Sequence, residues 1–458
     1  MDELINGFMK NIKHLFTALL LLCSTAVTAH DFVVGGVYYN KADATNKTVE
    51  VTYKGDNYSS VNEYVGNVVI PESVTYDGVT YSITSIGSRA FSGCSSLTSV
   101  EIPGCVTNIG DNAFSSCSGL TCVVISDGVT SIGNYAFAYC SSLASIEIPS
   151  SVTSIGGFAF SGCLSLTNVE IPSSVTNIGE RVLYACTGIT SIIIGNNVQS
   201  IGYGAFESCS ALETVINFSN LTIGITSSDN DLKVINAPNG SIDGDYVWTN
   251  LDGVNVLAAY LGDETDLSLP ADYNGENYVI GEKAFSDCTG LVSIEIPGSV
   301  TSIGDYAFYN CTGLVSIEIP GSVTSIGLAA FENCVDVETL HIGNSLESIG
   351  DKAFAGCENI KEIKIGLERP IGGAADTFAD AVYDNAILYV PYGTKSLYQE
   401  VEPWNRFFDI EEIGLAGIDD VKSEDGKVEG VCYDLSGRVV ESPVNGIYII
   451  NGKKVWGK

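Results

Sequence analysis

SIGNYAFAYCSSLASIEIPSSVT, residues 131 to 153, decides the fold. Its Ile-Gly pair recurs at a step of 23 residues: Ile86, Ile109, Ile132, Ile155, Ile178 and Ile201, then Ile280, Ile303, Ile326 and Ile349. Ten copies therefore stand in two blocks, of six and four. The gap from Ile201 to Ile280 is 79 residues, ten more than three repeats, so it is an insertion and not one faded copy. A fixed period of this length marks a stacked array in which each coil packs on its neighbours.

Within one copy, Leu143, Ile146 and Ile148 form LxxIxI. Two-residue spacing puts Ile146 and Ile148 on one face of a short strand and Glu147 on the other. Pro149 ends that strand. Val152 and Ile155 point inward on the return side. Gly156 is expected to take a backbone conformation that other residues resist. Ala136-Phe137 is expected on a short helical turn that closes the coil. A coil that returns to its starting direction makes successive strands parallel.

Stacking turns repeat positions into columns. Phe91, Phe114, Phe137, Phe160, Leu183, Phe206, Phe285, Phe308, Phe331 and Phe354 form an aromatic spine, read as core. Ten of the 14 cysteines, Cys94 through Cys357, stand eight residues after the Ile of each copy. One small apolar thiol per coil suits a tight inner corner, so these are buried free thiols. Cys105 and Cys122 occupy different repeat positions and are not expected to pair. A zinc cluster lacks histidine, since only His30 and His341 follow the leader segment.

The pattern SIGxxAFxxCxxLxxIxIPxxVT resembles the BspA-like leucine-rich repeats of bacterial surface proteins. The likeness runs through about 230 residues in ten copies. It implies a right-handed leucine-rich-repeat solenoid of the α/β repeat class, with a parallel sheet on one side and 23-residue repeats. Members of that family are typically exported, and some are implicated in adhesion to matrix proteins and other cells. The fifth copy departs from the pattern with Val182-Leu183, and the ninth with Val337; both stay apolar.

Residues 1–29 read as a signal peptide whose true start is Met9. Lys10 and Lys13 precede an apolar run, Leu15 to Leu22, too short to span a bilayer, and Val27-Thr28-Ala29 supplies the cleavage site. A lipoprotein at Cys23 is the alternative, although Leu22 stands where a small residue belongs. Residues 30–84 form a β-rich cap that covers the first open edge, with Asp77-Gly78 as a hairpin turn. Repeats fill 85–216 and 280–366. Between them, 217–279 reads as partly degenerate coils plus a projecting β-hairpin, its strands divided by turns such as Asn239-Gly240 and Asp252-Gly253. Residues 367–413 close the far end with a last strand and a short helix carrying Tyr398, Trp404 and Phe407. Residues 414–458 form a β-rich tail; YDLSGRVV followed by GIYIINGKKV resembles the sorting domains of type IX secretion cargo.

The balance of 55 acidic against 21 basic residues gives a net charge of −34, which disfavours nucleic acid and anionic lipid. No catalytic motif, phosphate loop or metal-ligand spacing is present, so neither enzyme activity nor a cofactor is expected. The reading is a secreted or outer-surface binding protein, monomeric and without a membrane span, that recognises an extracellular protein or a glycan. A surface spacer without a ligand is the plainer alternative.

Binding is expected on the outward strand face. Its central column includes Glu101, Glu147, Glu170, Glu295, Glu318 and His341, beside Ser145 and Asn168. Neighbouring parallel strands lie about 4.8 Å apart, so Glu147 is expected to face Glu170, and Glu295 to face Glu318. Tyr246 and Trp248, two residues apart, would offer stacking platforms to a sugar in the glycan reading; packing of the pair against the array is the plainer reading.

Overall fold

The structure is a computed structural model. It describes residues 30–54, 64–221 and 232–413, and the backbone of three short strands, Cys432–Tyr433, Gly446–Ile450 and Lys453–Gly457. The expected signal peptide lies outside the described residues, as does most of the expected sorting tail. The chain divides into two compact units, Met1–Ser241 and Ile242–Lys458, and the division falls inside the insertion.

The first unit opens with three antiparallel strands, Phe32–Val34, Val37–Asp43 and Thr48–Thr52. From Thr48–Thr52 onward the pairing is parallel. Val79–Ile86 follows, then the two-residue strands at Asn108, Ser131, Ser154, Asn177 and Ser200, matched Ile to Ile at the 23-residue step. Asp77 and Gly78 both have positive φ, 49° and 74°, and turn the hairpin from Ser73–Tyr76 into Val79–Ile86. The LxxIxI segments build a second parallel layer in two pieces. One holds Gly66–Val69, Leu97–Ile102 and Cys122–Ile125; the other runs from Asn168–Ile171 to Lys233–Asn236. Ser145 to Ile148, inside the deciding stretch, joins neither piece as a strand, contrary to the expectation. Its Ile146 and Ile148 are nonetheless buried.

The second unit has the same plan. A hairpin, Tyr246–Leu251 and Val254–Tyr260, turns at Asp252-Gly253, both with positive φ. Its second strand pairs parallel with Tyr278–Ile280, and the Ser-Ile ladder continues to Ser348–Ile349. The hairpin does not project as expected: Val247, Trp248 and Leu257 are all buried in the unit's core. At the other end, Ile387–Pro391 and Asp409–Ile413 extend the sheet beyond Glu362–Ile365. Two short helices, Asp380–Asn385 and Lys395–Tyr398, flank them. Tyr398, Trp404 and Phe407 are buried there, as their apolar character requires.

The aromatic column is a stack of rings. In the first unit Phe91, Phe114, Phe137 and Phe160 follow one another at 4.8, 5.1 and 5.6 Å, with planes within 10°. In the second, Phe285 to Phe354 repeat this at 4.8 to 5.3 Å, and Phe378 adds one more ring. These rings are fully or almost fully buried and bring the large apolar area on which such cores depend.

The expected helical turn at Ala136-Phe137 is absent. Three overlapping β-turns stand there, closed by Ala136 N–H donating to Gly133 O, Ala138 N–H to Tyr135 O and Cys140 N–H to Phe137 O. Tyr135 and Tyr139 take the left-handed conformation, with φ of 56° and 61°. The reason is the neighbouring coil. In this alternating conformation the N–H groups of Tyr135, Phe137 and Tyr139 donate to the carbonyls of Gly157, Ala159 and Ser161 at 2.9, 2.7 and 2.7 Å. A helix would aim them back along its own chain. Satisfying buried backbone groups across coils outweighs the cost of positive φ.

Gly156 also departs from its expected role. Its φ is outside the left-handed region, and its demand is space: a Cβ there would lie 2.5 Å from the backbone N of Asn134. Gly133 and Gly179 are in the same position against the preceding coil. The glycine after each Ile thus lets one backbone touch the next.

The cysteine column has a specific partner. The thiols of Cys117, Cys140, Cys163 and Cys186 donate to the carbonyls of Phe91, Phe114, Phe137 and Phe160, each 26 residues earlier, at 2.9 to 3.2 Å. Cys311, Cys334 and Cys357 repeat the bond in the second unit. The twelve described cysteines are all free thiols. Burial pushes the Cys163 thiol up to about 12 and holds Cys140 well above the usual thiol range.

Two outcomes follow from this packing. Gly156→Ala destabilises the first unit by about 1–3 kcal/mol through overpacking, whereas Gly290→Ala, with open space around it, changes stability little; denaturant unfolding of both variants compares them. The second outcome concerns the thiols. Iodoacetamide at about pH 8, near the ordinary thiol pKa, modifies exposed Cys122 and spares Cys140 and Cys163 until denaturant is added, as mass spectrometry of the peptides reads. The unfolded chain ionises its thiols near 9 while folded Cys163 holds its proton to about 12. The contribution of Cys163 is therefore full below pH 9 and is lost as pH rises toward 12.

Candidate functional site

The outward strand face is built by alternation. Every inward Ile or Val places its neighbour outward, so the LxxIxI segments display one central and one lateral column. In the first unit Glu101 lies beside Val124, and Glu170 beside Ile193, in parallel register. In the lateral column Asn168 lies beside Ser191, whose hydroxyl donates to Asn168 Oδ1 at 2.8 Å.

Glu147 and Glu170 are not ladder neighbours. Among the described residues, the N–H and C=O groups of Ser145 to Ile148 make no backbone hydrogen bond. The last coil-to-coil bond on this side is Thr167 N–H to Ala144 O, stretched to 3.3 Å. The same holds in the second unit. Ser293–Glu295 pairs back to Asp266–Ser268, and Ser316–Ile319 pairs forward to Thr339–Ile342, so Glu295 and Glu318 are not paired either. Both expected Glu–Glu contacts thus fall where the ladder is interrupted. Like charges directly opposite disfavour pairing at these two places. The break between Val124 and Glu147 has no like-charge pair.

The break in the first unit opens a groove of about 1000 Å³. Its floor includes Ile125, Ile146 and Val169, and its charged groups are Asp127, Glu147 and Glu170. Ser145, Asn168, Ser191 and Ile193 complete its outward side. No basic residue lines it. Glu101 stands on the same face. Among the described residues, the carboxylates of Glu101, Glu147 and Glu170 have no hydrogen-bonding or ionic partner.

The second unit's face gives its acids neighbours. Ser268 donates to Glu295 Oε2 at 3.0 Å, and His341 Nδ1 lies 3.7 Å from Glu318. Lys364 reaches Glu362 at 3.3 Å and lies over the Tyr389 ring. The predicted residues therefore separate into an open set, Glu101, Ser145, Glu147, Asn168 and Glu170, and an internally paired set, Glu295, Glu318 and His341.

Trp248 is not a platform. It is 1% exposed and stacks on Tyr273 at 4.2 Å, with Tyr278 against it edge-on at 5.1 Å. Tyr246 is half-buried beside Tyr260. A register shift between Val247 and Trp248 buries both residues, which simple alternation does not foresee.

Sequence reasoning missed an aromatic ledge on the turn side of the first unit. Tyr135 and Phe158 stack at 4.7 Å, and the Arg181 guanidinium lies 5.5 to 5.8 Å from the rings of Phe158, Tyr184 and Tyr203. Tyr139 lies against Gly162 and is exposed, as is Tyr203. The signal was present: the third position after each Ile reads Arg89, Asn112, Tyr135, Phe158, Arg181. Its left-handed backbone points these side chains outward.

Among the described residues no group of three or more His, Cys, Asp or Glu could hold a metal ion, and no helix is long and apolar enough to cross a membrane.

A family model described as BspA type leucine rich repeat region matches residues 71–150, 107–228 and 274–372, more than half of the chain. No curated protein matches. Among solved structures, a leucine rich cell surface protein from Faecalibacterium prausnitzii is 27% identical over 84% of this chain and 94% of its own, with a TM-score of 0.33. A leucine-rich repeat protein from Bacteroides ovatus is 24% identical over 84% of this chain and 100% of its own, TM-score 0.31. The pneumococcal vaccine antigen PcpA is 17% identical over 83% of this chain and 97% of its own, TM-score 0.32. Such low TM-scores carry no argument about shape, so the repeat itself carries the family assignment.

Trp248→Ala lowers the stability of the second unit by about 3–5 kcal/mol, the cost of truncating a buried Trp. Denaturant unfolding reads this directly. A variant with unchanged stability would contradict the core role.

Proposed function

The chain belongs to the BspA type leucine rich repeat family, and from that membership we infer a surface-associated, non-catalytic protein that binds an extracellular macromolecule through the strand face of its first unit. One observation carries this reading: a groove with unneutralised carboxylates on a face that a solenoid presents without cover. Exposed surfaces of this size on repeat scaffolds are suited to extended partners. The protein acts as a monomer in this reading, since stacking within the chain satisfies the repeats without a second copy.

Surface location is supported by the family and by the cell-surface description of the F. prausnitzii protein. The apolar run at Leu15 to Leu22 supports export, and the likeness of YDLSGRVV and GIYIINGKKV to sorting domains supports a role for the tail in reaching the surface. A glycan ligand is the second reading. The exposed rings of Tyr135, Tyr139 and Tyr203 favour it over the buried Trp248.

The test is capture by purified protein on arrays of matrix proteins and glycans, combined with protease shaving of intact cells. Asn168→Trp with Ser191→Trp crowds the strand face and lowers protein capture about tenfold, while Tyr203→Ala leaves it unchanged. Loss of capture in Tyr203→Ala alone moves the site to the ledge. A protein protected from protease until lysis contradicts the surface location.

A further inference from the structure

We propose that the groove of the first unit binds an extended cationic peptide segment, with basic and apolar side chains alternating, laid across the coils at Ser145 to Ile148. This rests on the binding reading of the same face and names its partner.

Three observations meet at this place. The first is charge. Asp127, Glu147 and Glu170 line the groove, no Lys, Arg or His does, and Glu147 and Glu170 lack any partner among the described residues. The second unit holds comparable acids, but there Ser268 and His341 occupy Glu295 and Glu318. Glu147 and Glu170 have no such neighbour. The second observation is the floor. Ile125, Ile146, Val169, Pro149 and Pro172 make it apolar, and Val124 beside it is an exposed apolar side chain at 49%. A free cation or a phosphate has no use for such a floor; a peptide with apolar side chains does. The third is the open ladder. Four consecutive residues, Ser145 to Ile148, have backbone N–H and C=O groups without backbone partners. They add main-chain hydrogen bonding to the side-chain contacts.

Size agrees with this occupant. The groove touches four successive coils, from Ile125 to Ser191. Three coil steps of about 4.8 Å and an extended rise of about 3.3 Å per residue give room for roughly four to five peptide residues. Alternation sends one set of side chains to the floor and the other to the rim. The basic side chains reach the carboxylates of Glu147 and Glu170.

The probe is a fluorescein-labelled octapeptide alternating Lys and Val, compared with one alternating Glu and Val, by anisotropy with the full-length protein at about 0.1 M ionic strength, where charges screen over about 10 Å. The Lys peptide is expected to bind and the Glu peptide not. Glu147→Gln with Glu170→Gln weakens binding about five- to tenfold, as expected for two solvent-accessible charge pairs. Asp336→Asn with Glu358→Gln, exposed acids elsewhere, removes the same charge and changes it less than twofold. Glu147→Lys with Glu170→Lys transfers binding to the Glu peptide. Equal weakening by both neutralised pairs means attraction to net charge alone and overturns the proposal. So does equal binding of the two peptides, or binding of neither. If array capture is blocked by crowding at Asn168 and Ser191 while peptide binding ignores Glu147 and Glu170, the peptide assignment falls and the binding reading stands. If the Lys peptide binds as described and no extracellular protein is captured, the groove assignment stands and the wider reading falls.

Discussion

Everything in each unit depends on how closely one coil's backbone approaches the next. Gly133, Gly156 and Gly179 leave no room for a side chain because the preceding backbone occupies it. That contact sets the register in which Ile132 meets Ile155 and Phe137 meets Phe160. Once register is set, apolar burial, ring stacking and thiol bonding fall into columns. None of these contributions requires a distant contact in sequence, as expected of a solenoid. The unusual local conformations follow as well. Positive φ at Tyr135 and Tyr139 is unfavourable for one coil alone and favourable once N–H groups find carbonyls in the next coil.

Small polar residues take part in the same bonding. Thr107, Thr130 and Thr153 each donate a hydroxyl to the carbonyl of the equivalent residue one coil earlier. Ser151 and Ser174 do so to Val129 and Val152. Side chains that would count as surface polarity in an ordinary domain are here bonds between coils. The carboxylates of the first unit's strand face take no part in this bonding, and their gathering beside an apolar floor is where a partner is to be sought. The second unit carries similar acids, yet His341 and Lys364 lie among them in the same columns. Two faces of one repeat pattern thus differ in electrostatics through substitutions at two or three positions.

Some of this was legible in the sequence and some was not. The burial of Phe137 and Cys140 was legible because each recurs in every copy or nearly so, and a residue type held at one phase of a stack faces the same surroundings each time. The Asp77-Gly78 and Asp252-Gly253 turns were legible from local chemistry alone. The role of Gly156 was half legible: its recurrence marked a constraint, but conformational freedom and closeness of a neighbour leave the same trace in sequence. The β-turns at Tyr135 and Tyr139 were hidden, because Arg, Asn, Tyr, Phe, Lys and Ala all occupy the left-handed positions. For Trp248 the sequence left a sugar platform and packing against the array both open, favouring packing; the register shift in its hairpin, which goes with its burial, appears only in the fold.

The sequence by itself determined the family, the period, the columns and the parallel strands, because these arise from interactions repeated at a fixed step. Tertiary structure alone decided which outward carboxylates stay unpaired, where the ladder opens at Ser145 to Ile148, and that Trp248 closes a core. These depend on how neighbouring coils share one space. Repetition averages over that information, and a single break in it, set by packing and charge between particular coils, is visible only once the chain is folded.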